Sequence, residues 1–266
     1  MRMLKGVMHI HSTYSDGELG LRDLRERLVA AGCSFACVTD HAEAFDTEKL
    51  DQYAKECERL SDERFLFIPG LEYECEKRMH ILGYGLLKRI STRNPQEVIR
   101  EIERLGGISV IAHPKDEMFG WIESFDTLPR GLETWNTKYD GQYAPRAGTF
   151  QLLGRLQQRS PGLLAFYGQD FHWKRQYNEM FTWVWVDAIE RGAIEESLRS
   201  GKYHAVKSEI KLPANGRITE EQATRFDMIH SRSQHIRQFF QNAKKAADRV
   251  GLKVPKFIKS RLRSIF

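Results

Sequence analysis

The first candidates for chemistry are histidines close to the start of the chain. His9 and His11 are one residue apart, Asp16 follows in the same segment, and His41 comes after a second apolar run. Side chains two residues apart on a strand point to the same face, so both imidazoles can reach one metal ion. Imidazole and carboxylate ligands without cysteine suit zinc, manganese or iron in a hydrolytic site. The pattern therefore predicts a metal centre.

Further histidines and carboxylates occupy comparable places along residues 1–172. Almost all lie in, or just after, a short apolar run that we predict to be a strand. Random placement would not confine ligand-type residues to strand ends, so these residues extend the predicted metal centre. The full candidate set is His9, His11, Asp16, His41, Glu72, His80, His113, Asp170 and His172.

Short β-like runs alternate with helical patterns through the first 187 residues. Helical spacing of apolar residues predicts helices over 21–32, 48–61 and 95–105, with Gly32 as a stop signal. This alternation predicts a parallel sheet, most simply an α/β barrel, whose active site lies at the carboxyl ends of the strands. The predicted strands are 6–11, 35–40, 65–74, 79–84, 108–113, 131–136 and 163–170, and an eighth run, 182–187, is placed outside the main sheet.

The character of the chain changes near residue 212. Residues 212–216 resemble a loop, and Thr219 with Gln222 fits a helix-capping pattern. Apolar residues at alternating spacings of three and four, with Ser233 filling one position, then predict an amphipathic helix of roughly thirty residues. We therefore divide the chain into a barrel, residues 1–211, and a basic amphipathic helical extension, residues 212–266. The apolar positions of this helix are Phe226, Ile229, Ile236, Phe240, Ala243, Ala247 and Val250.

Charge is distributed unevenly. Residues 202–266 contain fifteen Lys and Arg against five Asp and Glu, whereas the first 201 residues contain 26 and 31. Three interpretations of the basic extension stay open: its helix packs on the barrel, pairs with a second copy of itself, or touches an anionic surface. The last eleven residues mix basic with aromatic and aliphatic side chains, which favours a peripheral membrane contact slightly over nucleic acid.

Composition is that of a globular chain. The 266 residues are 41% hydrophobic and 29% charged, and no run of eighteen apolar residues predicts a transmembrane segment. The first five residues lack the apolar core of a signal peptide, so we expect a cytoplasmic location. Cys33, Cys37, Cys57 and Cys75 form no CxxC pair and are expected to be buried, reduced thiols.

Six motifs follow one another along the chain: HxHSxxSDG from His9, TDH ending at His41, GxE ending at Glu72, a single histidine at 80, His-Pro at 113–114 and DxH at 170–172. Together they resemble the polymerase and histidinol phosphatase (PHP) family of metal-dependent phosphoesterases. The resemblance implies a distorted seven-stranded (β/α)7 TIM-like barrel that binds two to three divalent metal ions, zinc, manganese or iron. Many nucleotide-directed relatives have a second aspartate after TDH, where this chain has Ala42.

The resemblance also implies how the ligands are shared. One ion would be held by His9, His11, Glu72 and Asp170; Glu72 would bridge to a second held by His80 and His113; Asp16, His41 and His172 would hold a third. Clustered divalent ions attract phosphate and make hydroxide available near neutral pH. We expect metal-bound hydroxide to attack a phosphomonoester clamped by the trinuclear cluster, with no catalytic side chain beyond the metal ligands.

Cationic side chains on loops at the same end of the predicted barrel are candidates for binding the phosphate. An ordinary solvated lysine or arginine is an equally good interpretation of any single one. Lys115, Arg146 and Arg175 are the candidates that we single out, and Lys138 and Lys174 lie on the same loops.

Three carboxylates are candidates for supporting roles. Asp40 directly precedes His41 and is expected to orient a ligand histidine rather than to bind metal itself. Glu74 and Glu133 either orient ligands in the same way or simply line the barrel.

The favoured function is hydrolysis of a small phosphorylated substrate, because a barrel without large accessory domains suits a small molecule. One alternative is a phosphodiesterase or nuclease that acts on nucleic acid ends, with the basic extension as its anchor. Another is a non-catalytic binding module that its metals stabilise.

Overall fold

The computed structural model describes residues 1–232 and Asn242. This part of the chain contains one mixed sheet with helices packed around it. The strands are β1 (Arg2–Ile10), β2 (Phe35–His41), β3 (Leu66–Glu74), β4 (His80–Tyr84), β5 (Ile108–Ala112), β6 (Gly131–Asn136), β7 (Leu164–Gly168), β8 (Phe181–Val186), β9 (Tyr203–Lys207) and β10 (Ile210–Pro213). The α-helices are α1 (Leu21–Ala30), α2 (Thr47–Arg59), α3 (Pro95–Arg104), α4 (Phe119–Glu123), α5 (Ala147–Gln157), α6 (Arg191–Arg199) and α7 (220–232).

The strand order in the sheet is β10-β9-β8-β1-β2-β3-β4-β5-β6-β7. Parallel pairs join β1 to β2, β2 to β3, β5 to β6 and β6 to β7. Strand β4 is antiparallel to both of its neighbours. Only five residues connect β3 to β4, too few for the crossover that a parallel neighbour needs. The sheet is therefore mixed rather than parallel.

Strands β1 to β7 curl into a nearly closed barrel. Just after β7, the Gln169 amide donates to the Met8 carbonyl (3.0 Å), and the His11 amide donates to the Phe171 carbonyl (2.9 Å). The end of β1 thus contacts the chain that follows β7, whereas residues 2–6 of β1 pair with antiparallel β8. Strands β9 and β10 extend the sheet beyond β8.

The α/β barrel predicted from the sequence is confirmed as a fold class, but the count of seven strands is not, because the sheet contains ten. Eight strands are predicted close to their observed bounds, and β9 and β10 are missed. The placement of the eighth run outside the main sheet is wrong, because β8 pairs with β1 within it. Leu212 and Pro213, predicted to lie in a loop, belong to β10, so the sheet continues past residue 211. The division into domains of residues 1–211 and 212–266 stays a prediction.

Local sequence signals set the helix ends. Asp46 accepts a hydrogen bond from the Lys49 amide (2.8 Å) at the start of α2, as an N-cap does. Gly32 follows α1 with a φ of +75°, a left-handed conformation that glycine adopts without strain. Thr219 and Gln222 exchange hydrogen bonds of 3.0 and 3.1 Å at the start of α7, which confirms the predicted capping pattern.

Helix α7 is the start of the predicted amphipathic helix. Phe226 is buried, with its ring centroid 6.3 Å from that of Phe150 on α5, and Ile229 packs against the core. The described part of the helix therefore packs its apolar stripe on the barrel. The later apolar positions, from Ile236 to Val250, and the basic segment 256–266 lie outside the described residues, so self-association and membrane contact stay predictions.

Two expectations from composition concern membranes and thiols. None of the helices in residues 1–232 is both long and apolar enough to cross a bilayer. All four cysteines are buried and free of disulfides.

Glycine substitutions test the packing of the ligand-bearing strands. A Cβ on Gly70 of β3 would lie 2.3 Å from the backbone carbonyl oxygen of Gly83 on β4. We expect Gly70→Ala to lower the free energy of unfolding by about 1–3 kcal/mol, because backbone must shift. Gly154 is exposed in α5, and none of the described atoms lies within 4 Å of its added Cβ. The control Gly154→Ala should raise the free energy of unfolding by about 0.5–1 kcal/mol, because alanine favours the helix more than glycine does. Urea unfolding measures both, and effects of equal sign would contradict the prediction.

Candidate metal centre

The nine candidate ligands lie together where the parallel strands of the barrel end. Each belongs to at least one group whose donor atoms lie within 4.8 Å of one another. The grouping differs in part from the one implied by the resemblance, since His113 lies with His9 and Asp170. The groups are His9, His11 and Glu72; His9, His113 and Asp170; His41, Glu72 and His80; and His11, Asp16, His41 and His172.

Glu72, on β3, occupies the centre of the cluster and is 1% exposed. Its two oxygens face different histidines at distances of 2.8 to 3.4 Å. One carboxylate therefore reaches both sides of the cluster, as a bridging ligand would. Oε2 faces the rings of His9, His11 and His41, and Oε1 faces those of His80 and His113.

The cluster is buried at its base and open on one side. The side chains of His9 and His11 are fully buried. The Asp16 side chain is 56% exposed, and those of His41 and His80 are 25% and 20% exposed. A substrate would approach across this second set.

Three of the candidate ligands have left-handed backbone conformations. The φ angles of His9, His113 and Asp170 are +55°, +28° and +50°. His9 lies where the register between β1 and β2 shifts, between Val7 and Ile10. For a residue other than glycine, such a conformation costs roughly 1–2 kcal/mol. Strain of this kind is held by surrounding contacts and is common at functional sites.

Glu133, on β6, supplies several of those contacts. Its carboxylate accepts hydrogen bonds of 2.8 Å from His9 Nδ1, the His113 amide and the Asn136 side chain. Because His9 donates from Nδ1, its Nε2 faces the cluster. Of the two open interpretations of Glu133, the structure supports the orienting one. Gly168 leaves room for it, since a Cβ there would lie 1.8 Å from Glu133 Oε1.

The remaining buried nitrogens fit a metal site. His9 Nε2 and both ring nitrogens of His11 are buried and find no hydrogen-bond partner among the described residues. Buried polar atoms are nearly always satisfied, and a buried imidazole nitrogen that no hydrogen bond satisfies is a natural metal ligand. Imidazole nitrogens beside carboxylate oxygens suit zinc, manganese or iron. These residues could therefore hold metal ions.

The ionisation states of the clustered side chains favour the binding of cations. Burial lowers the pKa of His11 to about 4. Burial also opposes protonation of His9, but the Glu133, Glu72 and Asp170 carboxylates outweigh it and raise the pKa of His9 well above 6.5. Burial alone would raise the pKa values of Glu72 and Asp170, yet His9 and neighbouring imidazoles hold both well below the ordinary range. The carboxylates are thus ionised and attract positive charge.

Lys138 is the cation that the structure places in the cluster. Its ammonium donates to Asp170 Oδ1 (3.0 Å) and lies 3.3 Å from His172 Nδ1. The side chain is 22% exposed. The signal available in the sequence was its place just after β6, but Lys138 was not singled out there from the other loop cations.

The three cations singled out from the sequence have different surroundings. Lys115 is exposed and lines a cleft beside His80 and His113. Arg175 is exposed, with its guanidinium 5.3 Å from the Trp173 ring centroid. Lys115 therefore lies close enough to the candidate ligands His80 and His113 to share a cleft with them.

Arg146 is tied to the protein rather than free for a substrate. Its guanidinium donates to Asp140 (2.6 Å), Asp116 (2.5 Å) and the Pro114 carbonyl (2.6 Å). Arg146 therefore joins the loop after β6 to the loop after β5. Its role in gripping phosphate, predicted from the sequence, gains no support from these contacts.

Asp40 also acts differently from the expectation. Its carboxylate accepts hydrogen bonds from the amides and hydroxyls of Ser12 and Ser15, at 2.6 to 3.1 Å. It therefore fixes the loop that carries Asp16, and the interpretation that it orients a histidine ring is not supported. Glu74 likewise forms an ion pair outside the cluster, with Arg93.

Comparison with known proteins agrees with this geometry. A model of the PHP domain family matches residues 8–246 of the chain. The chain belongs to the PHP family. Proteins of this family are metal-dependent phosphoesterases, which is consistent with the clustered histidines and carboxylates described above.

One curated relative and two solved structures show how far the likeness extends. The DNA polymerase/3'-5' exonuclease PolX of Bacillus subtilis (strain 168) is 34% identical over 147 residues, a match that covers 44% of this chain and 24% of that protein. A two-domain protein of Bacteroides vulgatus ATCC 8482, containing a predicted PHP-like metal-dependent phosphoesterase, shares 17% identity at a TM-score of 0.55, over 85% of this chain and 69% of that one. PsfC of Pseudomonas syringae PB-5123 shares 15% identity at 0.54, over 87% and 97%. These two structural likenesses show the fold alone.

Replacing Glu133 tests its hold on the ligands. We expect Glu133→Gln to weaken metal binding about tenfold to a hundredfold, because the hydrogen bond that orients His9 loses its charge. Glu74→Gln is the control, since Glu74 is paired with Arg93 outside the cluster. Calorimetric titration of metal-free protein with zinc gives both affinities. Equal affinities for the two variants would show that Glu133 does not position the ligands.

Metal binding should be coupled to the release of protons. His9 carries a raised pKa and must lose a ring proton before Nε2 can bind a cation, so binding at neutral pH should release protons. Raising the pH removes this proton in advance, so the apparent affinity should increase with pH. Calorimetry in buffers of different ionisation enthalpy counts the protons. No proton release near neutral pH would contradict the prediction.

Proposed function

We propose that this protein is a metal-dependent hydrolase of phosphate esters, with a small phosphomonoester as its substrate. The observation that carries the proposal is the convergence of five imidazoles on the two oxygens of the buried Glu72. Membership of the PHP family supports the reaction class. The nine candidate ligands would hold two to three ions of zinc, manganese or iron, and three ions would form a trinuclear centre.

The side chains of the site have distinct tasks in this reaction. When bound, divalent ions supply positive charge for the phosphate oxygens and make water in the site more acidic. Glu72 and Asp170 would hold such ions at the buried base, while Asp16 lies on the open side. Lys138 adds a positive charge beside Asp170. Phosphoryl transfer depends mainly on positioning and charge neutralisation, so no nucleophilic serine or cysteine is required.

Exposed aromatic rings favour a second candidate, cleavage of phosphodiesters at nucleic acid ends. Tyr139, Tyr143 and Trp173 are 45%, 60% and 40% exposed and lie on the segments that follow β6 and β7. The rings of Tyr139 and Trp173 lie 4.4 and 5.6 Å from those of His113 and His172. Bases stack on such rings. The name of the Bacillus subtilis relative includes a 3'-5' exonuclease. Trp135, by contrast, is buried and belongs to the core.

Hydrolysis of model esters tests the proposal. Metal-reconstituted protein is expected to hydrolyse para-nitrophenyl phosphate, and Asp170→Ala or His113→Ala should lower turnover more than about a hundredfold by removing a metal ligand. Asp187→Ala is the control, because that carboxylate is exposed and pairs with the N-terminal amine. The metal content of each preparation is measured alongside.

The other outcomes select other functions. Turnover of bis-para-nitrophenyl phosphate alone, with single-stranded DNA cleavage weakened by Trp173→Ala and by salt, would favour the nucleic acid candidate. Full metal occupancy without turnover of any phosphate ester would favour the non-catalytic binding module.

A further inference from the structure

A small cleft adjoins the metal centre and contains two cations that the proposed hydrolysis does not use. Arg78 and Lys115 line it together with His80 and His113, which are candidate metal ligands, and its volume is about 210 Å³. This is below the roughly 300–1,000 Å³ typical of pockets for drug-sized ligands. The cleft therefore suits a substituent of a few atoms on a group that is bound at the metal centre.

None of the described residues neutralises either cation. Among the described residues, the Arg78 guanidinium and the Lys115 ammonium form no side-chain hydrogen bond or ion pair. The acid next to Lys115 in sequence, Asp116, is paired with Arg146 instead. Lys77, next to Arg78, lies over the Trp121 ring at 4.2 Å. Two unpaired positive charges therefore face one small space, an arrangement that attracts an anion.

The backbone that presents Arg78 is strained. Lys77 and Arg78 are consecutive residues with φ of +54° and +59°. Residues other than glycine rarely adopt this left-handed conformation. They lie in the short connection between β3 and β4, anchored by the buried Met79. Strain of this kind is common at functional sites, and here it lies in the connection that brings Arg78 into the lining of the cleft beside His80.

We infer that the cleft is a second anion subsite, and that the substrate is a phosphomonoester with a further anionic group a few bonds from its phosphate. The inference rests on the proposed function. With the phosphate at the metal centre, the leaving group extends past His80 and His113 towards Arg78 and Lys115. Met118 and Tyr139, which also line the cleft, contact its carbon atoms.

A matched pair of substrates tests the subsite. Para-carboxyphenyl phosphate and para-carbamoylphenyl phosphate have nearly the same shape and differ in one charge. We expect metal-loaded protein to favour the carboxylate roughly tenfold in kcat/KM, mainly through KM, with the preference reduced by salt. Para-phenylene bisphosphate then shows whether a second phosphate is preferred to a carboxylate.

Variants that remove one charge each test whether the preference for the carboxylate substrate arises in the cleft. Arg78→Gln and Lys115→Gln should each reduce the ratio of the two kcat/KM values, and the double variant should bring it near one. Lys77→Gln is the matched control, because it removes a neighbouring charge that does not line the cleft, and it should keep the wild-type ratio. Calorimetric binding of para-carboxybenzyl phosphonate and its carbamoyl analogue repeats the comparison without catalysis.

The results separate the subsite from the proposed function. Hydrolysis of both esters at equal efficiency would overturn the subsite and leave the phosphatase proposal standing. If neither ester is hydrolysed, the phosphonates decide: a preference for the carboxylate that Arg78→Gln abolishes supports the subsite, and equal binding overturns it. An equal loss of the ratio in Lys77→Gln would also overturn it, since general surface charge would then explain the preference.

Discussion

The buried carboxylate of Glu72 imposes the constraint on which the rest of the site depends. An ionised carboxylate removed from water costs several kcal/mol unless positive or hydrogen-bonding groups surround it. The sheet order supplies those groups, because β3 lies between β2, which ends at His41, and β4, which begins at His80. His41 is the direct register partner of Glu72. Moving either neighbouring strand would remove one of the five imidazoles that face the charge.

This arrangement requires strained backbone conformations at the ends of the strands. His9, His113 and Asp170 occupy left-handed conformations, and Glu133 holds the first two by direct hydrogen bonds. The antiparallel β3–β4 connection serves the same end, since one hairpin brings Glu72 and His80 to 2.8 Å. The irregular features of the barrel are thus concentrated where its ligands lie.

Residue type and order were sufficient to identify the fold class and the residues that gather at one end of the barrel. The rings of His9 and His11 lie 5.3 Å apart, although β1 is irregular at His9 and ends at Ile10, and their binding of one metal ion stays a prediction. The mixed sheet could have been predicted, because the predicted strands 65–74 and 79–84 are too close in sequence for the crossover connection that parallel strands need. Asp40 and Lys138 could not be assigned, because neighbourhood in sequence does not determine where a side chain points, and only the folded chain brings Lys138 to Asp170.

Two parts of β1 pair with different segments on the same edge of the strand, and this affects how the protein folds. Residues 2–6 pair with residues 182–186, and the following residues meet the segment just after β7. Strand β1 therefore pairs with segments about 160 to 180 residues later in the chain, and contacts of such long range form slowly. His9 and His11 lie on this strand, so their rings reach the other ligands only when the barrel closes. Metal affinity would then report completion of folding, and partly folded chains would be distinguished by their failure to retain metal.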